Sequence, residues 1–181
     1  MIDHHWLTSA RRVCSPNASK RPAAEISAIV LHSISLPPGI FGGEAIEALF
    51  TNCLDPDAHP FFKTIYTLRV SAHLLIRRDG EIVQFVPFDR CAWHAGRSRW
   101  HGRGGVNDFS IGIELEGDAR AFTHAQYHCL AETLEALIER YPGLDRSRLV
   151  SHEAIAPLRK CDPGPSLDWQ YLAAQLDARG L

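Results

Sequence analysis

This sequence predicts an α/β domain built on a mixed β-sheet, on three observations. Strand-like and helix-like runs alternate loosely along most of the chain. An Asp79-Gly80 turn signal separates two apolar runs and marks a hairpin. Two stretches in the C-terminal third carry apolar residues at helical spacing. At 181 residues the chain fits one domain, 1–181, with a sizeable single core.

In chain order, residues 1–24 read as an irregular lead-in. Ser, Pro, Asn, Ala and charge concentrate in 14–24, and His4 and His5 fall in a terminus expected to be mobile. Residues 26–32 are nearly continuous in apolar and small side chains, which suits a strand buried on both faces. Two prolines and three glycines then make 33–43 a loop. A short helix is expected over 44–50, with Ile46, Leu49 and Phe50 on one side. Residues 68–76 and 82–86 read as strands joined by the turn 77–81, and 109–114 as another strand. Thr123 can cap a helix with Gln126 as its capping-box partner. Tyr127, Leu130, Leu134, Leu137, Ile138 and Tyr141 follow at helical spacing until Pro142-Gly143 stops the run. A last helix is expected from about 166 to 179, with Trp169, Leu172, Ala173 and Leu176 on its apolar face.

Composition narrows the function classes. Apolar residues make up 45% and charged residues 22%, an ordinary globular balance. A net charge of −2 supplies no general drive toward nucleic acid or anionic lipid. The N-terminus lacks a signal-peptide apolar core, and no stretch reaches bilayer length, so a cytoplasmic setting is expected. Five cysteines (Cys14, Cys53, Cys91, Cys129, Cys161), odd in number and without a C-x-x-C pair, are expected as buried thiols; their spacing excludes a zinc ribbon.

Of ten histidines, most read as surface or satisfied core residues. His124 and His128 stand i, i+4 on a helix, but Ala125 breaks the H-E-x-x-H pattern, and Ala156 breaks it after His152-Glu153. His32 and His152 differ in context: each closes an apolar strand run, where open α/β sheets put their sites. Asp162, by itself a turn residue before Pro-Gly-Pro, comes ten residues after His152 and two after Lys160. Two histidines, one aspartate and an open fourth position are the arrangement of a catalytic zinc, which makes a metal-assisted hydrolase the leading reading.

Glu114 joins this set by strand alternation. Ile111, Ile113 and Leu115 fall on one face, Gly112, Glu114 and Glu116 on the other. That second face reads either as solvated or as a site, and Gly112 leaves space beside Glu114 for something bulky. A carboxylate near metal-bound water serves a metallohydrolase as general base. Residues 93–105, Gly-rich, basic and aromatic, lack the P-loop ending. They read as a wall of a substrate cleft, with arginines available for carboxylates. The Gly-rich loops 33–43 and 96–105 are expected to edge that cleft, and 96–105 is the expected mover.

The runs 29–39, 69–80, 92–96, 107–117, Ser151-His152 and Asp162-Pro163-Gly164-Pro165 together resemble a known family. They are similar to the zinc-dependent N-acetylmuramoyl-L-alanine amidases of the type-2 superfamily, which also holds phage lysozyme-amidases and peptidoglycan recognition proteins. The likeness covers most of the chain from about residue 25 onward and runs closest to the AmpD-type branch, cytoplasmic 1,6-anhydro-N-acetylmuramyl-L-alanine amidases of Gram-negative bacteria. The resemblance implies a central mixed sheet flanked by helices, with zinc held by His32, His152 and Asp162. It implies Glu114 as general base, Lys160 as transition-state stabiliser, and Arg69, Trp93 and Arg159 as substrate contacts. The family often has Asn after the first zinc histidine; Ser33 shortens the side chain available there for a sugar or peptide hydrogen bond and leaves the metal untouched.

The implied substrate is an anhydromuropeptide, a small molecule cut between its lactyl group and L-Ala during peptidoglycan recycling, by a monomer that needs neither nucleic acid nor membrane. Two other readings compete. A muropeptide-binding module without catalysis would normally lack a zinc ligand, and here all three are present. A lytic amidase acting on intact peptidoglycan would normally carry an export signal or a wall-anchoring module.

Overall fold

Six strands form the central sheet of the computed structural model, which describes residues 1–181. They are β1 (Arg11–Arg12), β2 (Ala28–Ile34), β3 (Leu74–Ile76), β4 (Ile82–Gln84), β5 (Ser110–Glu116) and β6 (Leu149–Ser151). Their spatial order is β6-β2-β5-β3-β4-β1. All neighbours are parallel except the β3–β4 hairpin, so the sheet is mixed as expected. The hairpin register is Leu74↔Gln84, Leu75↔Val83 and Ile76↔Ile82. Gly80 alone takes the positive φ, at 94°. Its N–H donates to the Arg77 carbonyl at 2.9 Å, closing a turn with a left-handed final residue.

β2 and β5 lie side by side at the centre and are buried on both faces, hence their near-continuous apolar runs. Ile29 and Leu31 of β2 point with Ile111, Ile113 and Leu115 of β5 into the larger core. Helices α2 (His124–Arg140) and α4 (Trp169–Asp177) cover it with Leu130, Leu134, Leu137, Leu172 and Leu176. The capping box expected at Thr123 is present: Thr123 accepts from the Gln126 N–H, and the Gln126 side chain accepts from the Thr123 N–H. On the opposite face α1 (Ala45–Phe50) seats Ile46, Leu49 and Phe50 against Leu75, Val83 and Phe85. There too, Ala28 and Val30 pack with Ala95, Val106, Phe109 and Ile155, the last from α3 (His152–Ile155). By alternation His32 and Glu114 belong to this second face, away from α2. No helix is long and apolar enough to cross a membrane.

Several expectations are corrected. Residues 1–24 are not irregular throughout: Ile2–Asp3 pairs with Trp6–Leu7, Arg11–Arg12 completes the sheet, and Ala18–Lys20 pairs with Arg90–Ala92. His5 is tied down, its Nδ1 2.9 Å from the Tyr141 hydroxyl and its carbonyl accepting from the Phe88 N–H. β2 runs two residues past His32, and β5 reaches Glu116. Residues 68–73 are not strand; Ser71 and His73 donate to Trp93 and Gly112 carbonyls in an irregular approach to β3. α4 starts at Trp169 because Asp168 caps it, accepting from the Tyr171 N–H, and Trp169 stays 37% exposed at the open end of the apolar face. The cysteines are mostly not buried: Cys14, Cys53 and Cys161 are exposed, Cys129 is intermediate and only Cys91 is buried. Within 96–105, Arg99–Trp100 pairs with Arg103–Gly104, and Arg103 makes an ion pair with Glu25.

The turn that ends α2 depends on glycine for a packing reason. A Cβ on Gly143 would stand 2.6 Å from the Ile26 carbonyl oxygen, a backbone atom that cannot swing aside. Gly143→Ala is expected to cost about 1–3 kcal/mol, the usual range for forced overpacking. Urea unfolding with unchanged m-value measures it; wild-type stability would show that the 143 turn and the strand entry at 26 part without strain.

Candidate metal centre

Three donor atoms converge where β2, the start of α3 and the 162 turn meet. His32 Nδ1 and His152 Nδ1 are 2.9 Å apart, and Asp162 Oδ2 lies 3.2 Å from the first and 3.0 Å from the second. Each is placed locally for a clear reason. His32 sits mid-strand at the register position opposite Glu114. Ser151 ends β6 and caps α3 by accepting from the Ala154 N–H, which turns His152 inward as the first helical residue. The Asp162 carbonyl accepts from the Glu153 N–H at 3.0 Å, fastening the 162 turn to that same helix.

The electrostatics suit a cation. Burial holds the His32 imidazole down at about 4 against the opposing pull of the Asp162 carboxylate, so the ring is neutral at ordinary pH. Burial pushes the Asp162 carboxyl up, but the His152 and His32 imidazoles against it outweigh burial and hold the group below the ordinary carboxylate range, so it stays ionised. His152 Nε2 lies 3.2 Å from the Ala95 carbonyl, an acceptor, and 3.4 Å from Arg159 Nη2, whose two hydrogens go to the Ala95 and Arg97 carbonyls; the proton therefore belongs on Nε2 and Nδ1 is left free to bind. Four-coordinate zinc with bonds of about 2.0–2.1 Å spaces its ligand atoms about 3.3 Å apart. The triangle of 2.9–3.2 Å needs only a slight opening, so these residues fit a metal ion.

Glu114 stands beside this triangle in an unusual state. Its Oε2 is buried with no hydrogen-bond partner. Burial pushes its carboxyl well above the ordinary range, the charge of Asp162 adds to the rise, and Lys160 opposes it. Glu116, two residues on and on the same face, is the opposite case. It accepts from the Gly42 N–H at 2.7 Å, the Arg78 N–H at 3.3 Å and Arg77 Nη1 at 3.3 Å. One glutamate is spent on holding a loop and a hairpin; the other keeps a buried oxygen unused.

The remaining expected contacts spread around the centre. Lys160 is exposed, and its charge reaches both His32 and Glu114. Trp93 is half-buried, with Nε1 donating to Ser19 Oγ at 3.2 Å. Arg69 is exposed and bonds only nearby carbonyls, those of Tyr66 and Leu68. Arg159 Nη2 donates to the Ala95 carbonyl at 2.7 Å and the Arg97 carbonyl at 3.1 Å, so it braces the 95–97 segment that also orients His152. Next to it lies a cavity of about 820 Å³ lined by Arg97, Arg99, Arg159 and Leu158 among others.

The bulky group that Gly112 makes room for is His94. A Cβ at 112 would be 2.3 Å from His94 Cγ. His94 Nδ1 lies 2.9 Å from His32 Nε2, an arrangement sequence reasoning did not assign. The signal was partly there, in a glycine two residues before Glu114 and a histidine in the 92–96 run.

Three donors, one short of the four that close a structural zinc site, with a buried, unpartnered carboxylate oxygen beside them and a parallel-strand scaffold beneath, suit metal-assisted hydrolysis. Comparison with known proteins makes the class specific. The chain belongs to the N-acetylmuramoyl-L-alanine amidase family, whose sequence profile matches residues 22–165, and is an amidase. It is 60% identical over 176 residues to the 1,6-anhydro-N-acetylmuramyl-L-alanine amidase AmpD of Citrobacter freundii, covering 96% of this chain and 94% of that protein. A crystal structure of an AmpD selenomethionine derivative superposes with a TM-score of 0.94 at 57% identity, over 97% of this chain and 99% of that one. The Escherichia coli amidase AmiD, in complex with the substrate anhydro-N-acetylmuramic acid-L-Ala-D-γ-Glu-L-Lys, superposes with a TM-score of 0.62 at 32% identity, over 85% of this chain and 59% of that one.

Proposed function

We propose that this amidase hydrolyses the amide between the lactyl group of 1,6-anhydro-N-acetylmuramic acid and L-Ala of the stem peptide, as a cytoplasmic monomer in peptidoglycan recycling. The single observation that carries the chemistry is the buried, unpartnered Oε2 of Glu114 beside the His32–His152–Asp162 triangle. The AmpD relatives carry the substrate assignment.

In this reading His32, His152 and Asp162 hold zinc, which when bound supplies a Lewis acid that brings water ionisation toward neutral pH. Glu114 takes the proton of the attacking water. Burial raises its pKa above the ordinary carboxylate range, which makes it a stronger base than an exposed carboxylate. Lys160 places its ammonium against the charge that develops on the lactyl carbonyl oxygen. Glu114 then returns the proton to the departing L-Ala nitrogen. The stem peptide carries several carboxylates, and Arg97, Arg99 and Arg159 around the adjoining cavity suit them. Arg69 and Trp93 complete the proposed substrate contacts.

Mass spectrometry of products from a defined anhydromuropeptide tests this directly. The expected pair is 1,6-anhydro-N-acetylmuramic acid and the intact stem peptide. Cleavage of a peptide bond within the stem would sink the reading. Faster release from intact sacculi than from the soluble compound would replace recycling with a lytic role.

A further inference from the structure

Behind His32 stands a partly buried chain of hydrogen bonds, Ser110–His94–His32, that the proposed chemistry does not use. Ser110 Oγ donates to the Val106 carbonyl at 2.7 Å. A hydroxyl has one hydrogen, so only lone pairs of Ser110 face His94 Nε2, 3.1 Å away. His94 Nε2 therefore carries the proton, and in the neutral ring Nδ1 is an acceptor. That acceptor faces His32 Nε2 at 2.9 Å, which makes His32 Nε2 the protonated nitrogen. The His32 lone pair is left on Nδ1, the atom that meets His152 and Asp162.

β5 builds this chain on the same face as Glu114. Ser110 supplies the hydroxyl, and Gly112 supplies the space, since the His94 ring occupies the volume a side chain at 112 would take. The ring is also fixed from its backbone: the His94 and Ala95 N–H groups both donate to Asn107 Oδ1, at 3.2 and 2.8 Å. The two histidines of the triangle are thus oriented differently. His152 points its second nitrogen at a carbonyl, which can only accept. His32 points its second nitrogen at another imidazole, which accepts only while Ser110 fixes its direction.

We propose that His94 is a positioning residue: through the directed chain Ser110–His94–His32 it holds His32 in the Nε2–H form and so presents Nδ1 to the metal. This rests on the reading of His32 as a metal ligand.

The test uses the purified full chain, with zinc affinity measured by chelator competition and the His32 ring followed by long-range proton–nitrogen NMR of the zinc-free protein. His94→Leu is expected to weaken zinc binding about 10–100-fold, as loss of an outer-sphere partner does, and to release His32 into a mixture of tautomers. His94→Asn puts an amide oxygen where Nδ1 was and is expected to recover most of the affinity and the Nε2–H form. A folded His94→Leu with wild-type zinc affinity and an unchanged His32 ring would overturn the proposal, as would failure of His94→Asn to recover either property. Thermal melting reports folding. Should the leucine variant not fold, Ser110→Ala takes its place, with a mixed His94 tautomer and weaker zinc expected; an unchanged ring and affinity there would equally overturn it. His32→Ala separates the two readings. Its zinc loss alongside an unaffected His94→Leu rejects only the positioning role, whereas its retention of zinc rejects the ligand assignment and the proposal together.

Discussion

Glu114→Gln is expected to keep its metal and lose turnover by about 10²–10⁴-fold, the usual cost of removing a general base. Gln preserves the shape of the side chain and removes its ability to take a proton. The assignment draws force from the contrast on β5: Glu116 is saturated with donors, while Glu114 Oε2 has none. The other candidates are already committed. His73 Nδ1 accepts from the Gly112 N–H and its Nε2 faces the Arg90 carbonyl, while both His94 nitrogens are engaged by His32 and Ser110. The substitution should also stabilise the metal-free protein. Because the folded pKa of Glu114 lies above its unfolded value, ionising it costs folding free energy at every pH above the folded value, and that cost vanishes below the unfolded one. Relief of a buried, unsatisfied carboxylate is worth about 1–3 kcal/mol. The gain should be full at alkaline pH and shrink as pH falls toward the ordinary carboxylate range. Zinc content, steady-state rates and melting against pH measure the three effects. A zinc-loaded variant with more than about a tenth of wild-type activity would move the base elsewhere.

The parts of this molecule that were legible in the sequence are those whose signal is local. The α2 capping box, the Asp79-Gly80 hairpin and the alternation of β5 each lie within a few consecutive residues and are reproduced in the fold. What was not legible depends on partners far along the chain. Arg11–Arg12 is a strand only because Val83–Gln84 lies beside it, and two residues carry no periodicity. Trp169 has helical spacing with Leu172 and Leu176 yet stays 37% exposed, outside the core they join. Whether a cysteine is buried cannot be read from its spacing, and three of the five are exposed. The three proposed ligands illustrate the boundary. Their residue types and flanking runs stood out, but the convergence of Nδ1, Nδ1 and Oδ2 requires β6 beside β2 and the 162 turn fastened to α3. His94 lay beyond reach because its role is defined by contacts with His32 and Ser110, 62 and 16 residues away.

One zinc per chain is expected, and Asp162→Ala or His152→Ala should abolish it, taking activity with it. Each loss should exceed the about 10–100-fold that removal of an outer-sphere hydrogen bond costs, since a ligand bond itself disappears. Asp162 is suited to the role because it stays ionised beside neutral His32, so the site offers a cation one fixed negative charge at ordinary pH. The rival is Cys161, an exposed thiol adjacent in sequence and the softer ligand. Geometry argues against it. The atoms that converge are two imidazole nitrogens and an aspartate oxygen, all within 4.8 Å of one another, and no sulfur is among them. Cys161→Ala should therefore hold zinc like the wild type. Metal analysis of the three purified variants decides: zinc lost from Cys161→Ala and retained in Asp162→Ala would transfer the third ligand to sulfur and with it the charge balance on which the role of Glu114 depends.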